Sequence, residues 1–331
     1  MRCIGLRADA RAFPQRVKFE ASKSRFRAPW AKPASGFLAF ADGFHGRTMG
    51  ALALTWKARA QRQMSAWLLL PPLRPPTHLT QKQEGYRKPF APVMPGVQFA
   101  PYGDLEAAVA LIKRGKTAAV FVEPVQGEGG VRPAQAAFLA GLRAACDSAG
   151  ALLVFDEVQC GLGRTGTLWA HEATGVTPDI MTLAKPLAAG LPIGAVLCTQ
   201  AVADAMAPGD HGSTFAGGPL VTAAANYVVD TVRQPAFLAA VSARGAQLVD
   251  GLRAALAGVP HVVEVRGSGL LVGIQLDCQA GPVVEAARAA GLLVITAGKG
   301  DILRLVPPLV VSAAEVEQAI VILKSAIAKL P

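Results

Sequence analysis

Short apolar runs along this chain alternate with segments of helical periodicity. The runs TAAVFVE (117–123), ALLVFDE (151–157), DIMTLAK (179–185) and IGAVLCT (193–199) are typical of strands that are buried on both faces of a sheet. Helical patterns lie before, between and after them, at 104–114, 135–149 and 218–232. This alternation predicts an α/β fold with a mainly parallel central sheet flanked by helices.

The pattern changes near residue 235. Shorter apolar segments, HVVEVRG, GLLVGIQLD, GLLVITAG and ILRLVPP, interleave from there with helical patterns at 236–257, 281–290 and 313–329. We therefore predict a large domain over 36–235 and a smaller α+β domain over 236–331.

Two segments do not fit this scheme. Residues 58–84 carry four prolines, Pro71, Pro72, Pro75 and Pro76, which remove backbone donors that a helix or a sheet needs, so we expect an unstructured insertion there. Residues 1–35 are irregular and rich in Arg, as in an organellar transit peptide, although a misread exon would have the same composition. The transit interpretation predicts a chloroplast or mitochondrial protein, and otherwise a cytoplasmic one.

Composition excludes several classes of protein. The net charge is +10, but a surplus of seven basic residues lies within 1–33, so the folded body should not present a basic face to nucleic acid. The five cysteines are scattered without a C-x-x-C pair, and no metal site is expected. No apolar run reaches the roughly 18 residues of a membrane span. We expect a soluble protein that binds neither nucleic acid nor membrane.

Two polar residues end neighbouring apolar runs. Asp156 closes ALLVFD and Lys185 closes DIMTLA, and open α/β sheets bind ligands at the carboxyl ends of their strands. A lysine among Leu183, Leu187 and Ala188 should be partly desolvated, which favours a nucleophilic amine able to form a Schiff base. Alternatively, Asp156 caps a helix and Lys185 extends to solvent. The residues alone leave both interpretations open.

Five motifs carry a resemblance to a known family. FVEPVQGEGG (121–130), LLVFDEVQCGLGRTG (152–166), DIMTLAKPLAAGLPIGA (179–195), GDHGSTF (209–215) and ILRLVPPL (302–309) resemble the class III pyridoxal-phosphate aminotransferases in wording, order and spacing. TLAKPLAAGLPIGA is most similar to acetylornithine aminotransferases of the plant or algal type. The resemblance covers 36–57 and 86–331. It implies a fold-type I pyridoxal-phosphate transferase and a homodimer with shared active sites.

The resemblance also implies roles for individual residues. The implied reaction moves the δ-amino group of N-acetylornithine to 2-oxoglutarate, with Lys185 as the Schiff-base lysine and Asp156 on the pyridine nitrogen of pyridoxal 5′-phosphate. The remaining cofactor contacts would come from Gln159 at the phenolic oxygen, Val158 and Phe44 on the two ring faces, and Thr214 at the phosphate of the neighbouring subunit.

Substrate contacts follow in the same way. Arg47 and Arg304 are the carboxylate clamps that the resemblance implies, Glu128 is the carboxylate that neutralises a clamp, and Ser213 is a further substrate contact. Phe44 could instead be a core aromatic residue, and either arginine a surface residue. Glu123 is expected to be structural or supporting, and His45 in FHGR receives no role.

The sequence departs from the family before Phe44. Relatives carry a Ser-Gly-Thr-type turn whose amides bind the cofactor phosphate, and the glycines Gly5, Gly36 and Gly43 do not form one. Three alternatives stay open: an aminotransferase completed by a partner chain, an inactive or truncated homologue, and a related ornithine-type or GABA-type ω-aminotransferase.

Overall fold

The computed structural model describes residues 34–56, 87, 90–214 and 217–331, together with the backbone of Arg2–Cys3. The predictions of an irregular or transit segment at 1–35 and of an insertion at 58–84 fall almost entirely on residues outside this part of the chain.

Within the described residues, the strands and helices follow the predicted alternation. The strands are β1 (Arg2–Cys3), β2 (Gly36–Phe40), β3 (Val97–Ala100), β4 (Thr117–Val122), β5 (Val125–Gln126), β6 (Arg132–Pro133), β7 (Leu152–Asp156), β8 (Ile180–Leu183), β9 (Ala195–Cys198), β10 (Val262–Ser268), β11 (Leu271–Leu276), β12 (Ile295–Ala297) and β13 (Ile302–Leu305). The helices are α1 (Met49–Leu54), α2 (Leu105–Leu111), α3 (Ala136–Ala149), α4 (Gln200–Ala203), α5 (Pro219–Val232), α6 (Pro235–Leu256), α7 (Gly281–Ala289) and α8 (Ala313–Ile327). Most helix ends lie within one or two residues of the predicted ends.

The large sheet has the order β1-β9-β8-β7-β4-β2-β3. The neighbouring pairs β3-β2, β2-β4, β4-β7 and β7-β8 are parallel. Within this sheet, only β8-β9 and β9-β1 are antiparallel. Alternate residues of the central strands pack on opposite faces, as Leu153 and Phe155 contact the side that α2 and α3 cover while Leu152 and Val154 contact the other. Both faces are therefore buried, which explains the uninterrupted apolar runs and confirms the mainly parallel sheet.

The second sheet is smaller and wholly antiparallel, with the order β10-β11-β13-β12. Its core is formed with α6, α7 and α8 through buried side chains such as Leu252, Val283 and Leu323. The smaller α+β unit is thus confirmed, while its exact boundary at residue 235 stays a prediction. None of the described helices has the length and apolar character needed to cross a membrane.

Candidate active site

Asp156 and Lys185 lie at one edge of the large sheet. Asp156 is the last residue of β7 and pairs in register with Thr182 of the parallel strand β8. Lys185 follows the end of β8 by two residues. The carboxyl ends of the two adjacent strands bring the residues close enough for the Lys185 charge to help lower the pKa of Asp156.

The Asp156 carboxylate is buried and holds three hydrogen bonds from its own chain. Its Oδ2 lies 2.8 Å from Nδ1 of His45, and its Oδ1 accepts from the Val158 amide at 3.1 Å and from the Thr182 hydroxyl at 3.1 Å. Burial alone would raise the pKa of this carboxyl, but the His45 hydrogen bond and charge, with the Val158 amide, lower it below its ordinary value. Asp156 is therefore a carboxylate at neutral pH.

Two further titratable residues, His45 and Glu123, interact with this carboxylate. The His45 amide donates to Thr55 Oγ1 at 2.9 Å, which anchors the loop between β2 and α1. Burial would lower the pKa of His45, yet the hydrogen bond and charge of Asp156 raise it. Burial raises the pKa of Glu123 to about 7, and this carboxyl accepts from the Phe44 amide at 3.2 Å. Asp156, His45 and Glu123 are therefore three titratable groups that influence one another's pKa.

A second polar cluster surrounds Arg304 of β13. This buried guanidinium places Nη1 2.8 Å from Oε1 of Glu128 and donates to Oε1 of Gln159 at 2.9 Å. Within the described part of the chain, Nε2 of Gln159 and Nε of Arg304 are buried without a hydrogen-bond partner. The cluster thus pairs one cation with one anion and leaves buried donors that a ligand could satisfy.

The predicted desolvation of Lys185 is wrong for the described chain, because its side chain is exposed. Its apolar neighbours Leu183, Leu187 and Ala188 are buried instead, in a cluster with Met181. They pack inward against the sheet and do not enclose the amine.

The other predicted site residues are half-buried or exposed. Phe44 and Val158 are half-buried, and Arg47 is exposed in the same loop as His45. Ser213 and Thr214 are exposed in the segment between α4 and α5. Their contacts with cofactor and substrate stay predictions.

Sequence reasoning missed two partners of Asp156. His45 lies 111 residues away in the chain, and no periodicity links it to β7. Thr182 could have been found, since aligning the ends of two parallel strands places it opposite Asp156. Glu157, also not singled out, is structural: its carboxylate binds the His171 ring at 2.6 Å and accepts from the Ala170 and His171 amides.

Comparison with known proteins identifies relatives of this chain. It is 55% identical over 308 residues to the mitochondrial acetylornithine aminotransferase of Alnus glutinosa, a match that covers 93% of this chain and 62% of that protein. It is 41% identical to the acetylornithine aminotransferase of Corynebacterium efficiens, over 94% of this chain and 70% of the relative. The chain spans about three fifths of the length of the Alnus relative and of a Dictyostelium discoideum relative.

Solved structures show the same fold. An ornithine aminotransferase from Toxoplasma gondii superposes with a TM-score of 0.82 at 30% identity and covers 99% of this chain and 72% of that chain. N-acetylornithine aminotransferase from Stenotrophomonas maltophilia superposes with a TM-score of 0.69 at 33% identity, over 95% and 70% of the two chains. The sequence profile described as "Aminotransferase class-III" matches residues 77–327. With this match over most of its length, the chain belongs to the class-III aminotransferase family.

Proposed function

We propose that this protein is a pyridoxal-phosphate-dependent transaminase that converts N-acetylornithine and 2-oxoglutarate to N-acetylglutamate semialdehyde and glutamate, a step of arginine biosynthesis. The observation that carries the proposal is the position of a buried, ionised Asp156 beside Lys185 at the ends of adjacent parallel strands. The acetylornithine aminotransferases among its relatives support this choice of substrate.

The residues present fit the cofactor. The Asp156 carboxylate suits a protonated pyridine nitrogen, the unpartnered Nε2 of Gln159 suits the phenolic oxygen, and the exposed Lys185 amine suits the aldehyde. Val158 and Phe44 would flank the ring, and Thr214 would reach the phosphate. When bound, pyridoxal phosphate supplies a ring that accepts electrons from the carbon losing its proton.

The chain's own groups have distinct tasks in this proposal. Asp156 holds a proton on the ring nitrogen because its lowered pKa keeps it ionised. His45 and Thr182 fix the two carboxylate oxygens in direction. Lys185 would hold the cofactor through its amine, and the same amine, when free, would move the proton at the substrate carbon.

The second cluster accounts for two different substrates. N-acetylornithine carries one carboxylate, whereas 2-oxoglutarate carries two. When N-acetylornithine is bound, Arg47 would hold its single carboxylate, and Glu128 would neutralise Arg304, which lies 2.8 Å away. When the dicarboxylate binds, displacement of Glu128 leaves Arg304 free for bidentate binding, and Ser213 would contribute a further contact.

Two other functions are alternatives to this one. An ornithine-type transaminase is favoured by the superposition with the Toxoplasma gondii enzyme. The other is a folded homologue that does not retain cofactor.

Assembly and location belong to the same proposal. We infer a homodimer with shared active sites, in which the exposed Thr214 would reach the cofactor phosphate of the partner. We infer an organelle as the compartment, because the Alnus and Dictyostelium relatives are named mitochondrial and residues 1–33 are strongly basic.

Titration of the purified protein with pyridoxal phosphate tests the function. A visible absorption band should form, disappear in Lys185→Ala and persist in Lys324→Ala, which alters an exposed lysine of α8. N-acetylornithine should then be a better amino donor to 2-oxoglutarate than ornithine or GABA. Absence of the band would favour the non-catalytic homologue, and a preference for ornithine would favour the ornithine-type enzyme.

A further inference from the structure

The loop that carries Glu128 is fastened to the small sheet. It spans residues 127–131 and joins β5 to β6, which pair as a short hairpin. The Glu128 side chain reaches Arg304 of β13, and its backbone carbonyl accepts from the Gly298 amide at 2.9 Å. These two contacts hold the loop at Glu128. The loop is held along its whole length only if its second half, residues 129–131, is fixed as well.

Arg266 of β10 fixes that second half. Its Nε donates to the carbonyls of Gly130 at 3.0 Å and Val131 at 3.1 Å, and its Nη2 donates to the Gly130 carbonyl at 2.7 Å. The guanidinium is itself oriented by Glu264 at 2.7 Å and Gln275 at 3.2 Å. Three hydrogen bonds therefore hold two carbonyls that lie two and three residues after Glu128.

The loop needs this support because its backbone is strained. Val131 has a φ of 53° and Gly130 a φ of 112°, and a β-branched residue in the left-handed region persists only when its surroundings hold it there. Val131 is fully buried against Gly273, whose added Cβ would lie 3.0 Å from the Val131 Cβ. A side chain at position 130 would meet Ile302 at 2.3 Å. Packing thus constrains the side chains, and Arg266 constrains the carbonyls.

We propose that Arg266 is a positioning residue that sets how strongly the site distinguishes substrates with one carboxylate from dicarboxylates. Arg266 and Arg304 belong to one sheet, in which β11 lies between β10 and β13. The loop and the clamp arginine are therefore held by the same sheet, which fixes the Glu128 backbone relative to Arg304. Without Arg266, the loop relaxes and Glu128 moves away from Arg304. Arg304 then lacks its anionic partner and can bind a second carboxylate. This inference rests on the proposed function.

Arg266→Met tests it, since Met retains an apolar stem and removes all donors. Arg288→Met, at an exposed arginine of α7, is the matched control. We expect the ratio of kcat/KM for L-glutamate to kcat/KM for N-acetylornithine, measured in single half-reactions, to rise about fivefold in Arg266→Met and to stay unchanged in the control. The Kd of glutarate for the protein, measured by calorimetry without cofactor, should fall by a similar factor.

A double variant separates positioning from general damage to the fold. Glu128→Gln should raise the same ratio, and adding Arg266→Met to it should change the ratio no further, because the two act through one contact. Equal losses in both half-reactions, or an undiminished effect of Arg266→Met in the Glu128→Gln background, would overturn the proposal. If the methionine variant does not fold, Arg266→Lys, which keeps the charge but has only one donor nitrogen, should show a smaller shift of the same sign.

Failure of the proposed function would give a different result. If the wild-type chain does not catalyse transamination, the kinetic ratios cannot be compared. The Kd of glutarate can still be measured, because it needs neither cofactor nor turnover. Unchanged glutarate affinity in Arg266→Met would then refute the role of Arg266 on its own.

Discussion

Replacing His45 with Phe would leave the Asp156 carboxylate buried with fewer partners. His45 is the donor to Oδ2 at 2.8 Å, whereas Oδ1 keeps the Val158 amide and the Thr182 hydroxyl. Removing one member of a buried ion pair costs about 3 to 5 kcal/mol. Because Oδ1 keeps two hydrogen bonds, we expect the lower end, a loss of about 3 kcal/mol in the free energy of unfolding at pH 6.

The pH dependence of this loss has a definite sign. The pKa of His45 is raised in the folded chain, so its contribution is complete below its unfolded value of about 6.5 and is lost as pH rises through the folded value. The effect of His45→Phe should therefore shrink between pH 6 and pH 9. Urea unfolding of the cofactor-free protein, followed by tryptophan fluorescence, measures it.

A double-mutant cycle with Asp156→Asn isolates the pair. In the Asp156→Asn background, His45→Phe leaves no buried charge without a partner and should cost less. We therefore expect a coupling energy of about 2 kcal/mol. His171→Phe is the matched control, because it breaks a second buried histidine–carboxylate pair, with Glu157, outside the site. It should destabilise the chain without weakening cofactor binding. A coupling energy below about 0.5 kcal/mol, or one that grows with pH, would refute the reasoning.

Three further predictions concern Glu123, Thr182 and Gly245. Because burial raises the pKa of Glu123 to about 7, the contribution of Glu123 to wild-type stability should fall as pH rises from about 4.5 to 7. Glu123→Gln should therefore gain on wild type between pH 5 and pH 8 by on the order of 3 kcal/mol in urea unfolding. Thr182→Val removes a hydrogen bond to the charged Asp156 and should raise the Kd of pyridoxal phosphate about tenfold in a spectroscopic titration; an unchanged Kd would contradict the role of Thr182. Gly245→Ala places a Cβ 2.6 Å from Gly269 backbone atoms and should destabilise the chain by about 2 kcal/mol in thermal unfolding, whereas Gly281→Ala, with open space around it, should not.

The sequence by itself determined the layout of the elements and part of the site. The apolar runs ALLVFD and DIMTLA predicted β7 and β8, because a strand covered on both faces needs apolar residues at nearly every position. Strand topology then placed Asp156 and Lys185 at one edge. The proximity of Arg304 to Glu128 followed from the family resemblance and not from spacing. Arg304 lies in β13 and Glu128 in the loop between β5 and β6, far apart in the chain.

Only the tertiary structure decided the partners of these residues. The contact of His45 with Asp156 spans 111 residues, and that of Arg266 with the Gly130 carbonyl spans 136. The exposure of Lys185, against the prediction from its apolar neighbours, also depends on how the loop after β8 turns. Periodicity records which face of a helix or strand is buried, because that repeats locally along the chain. A hydrogen bond between loops depends on how distant elements pack, and no local repeat records that.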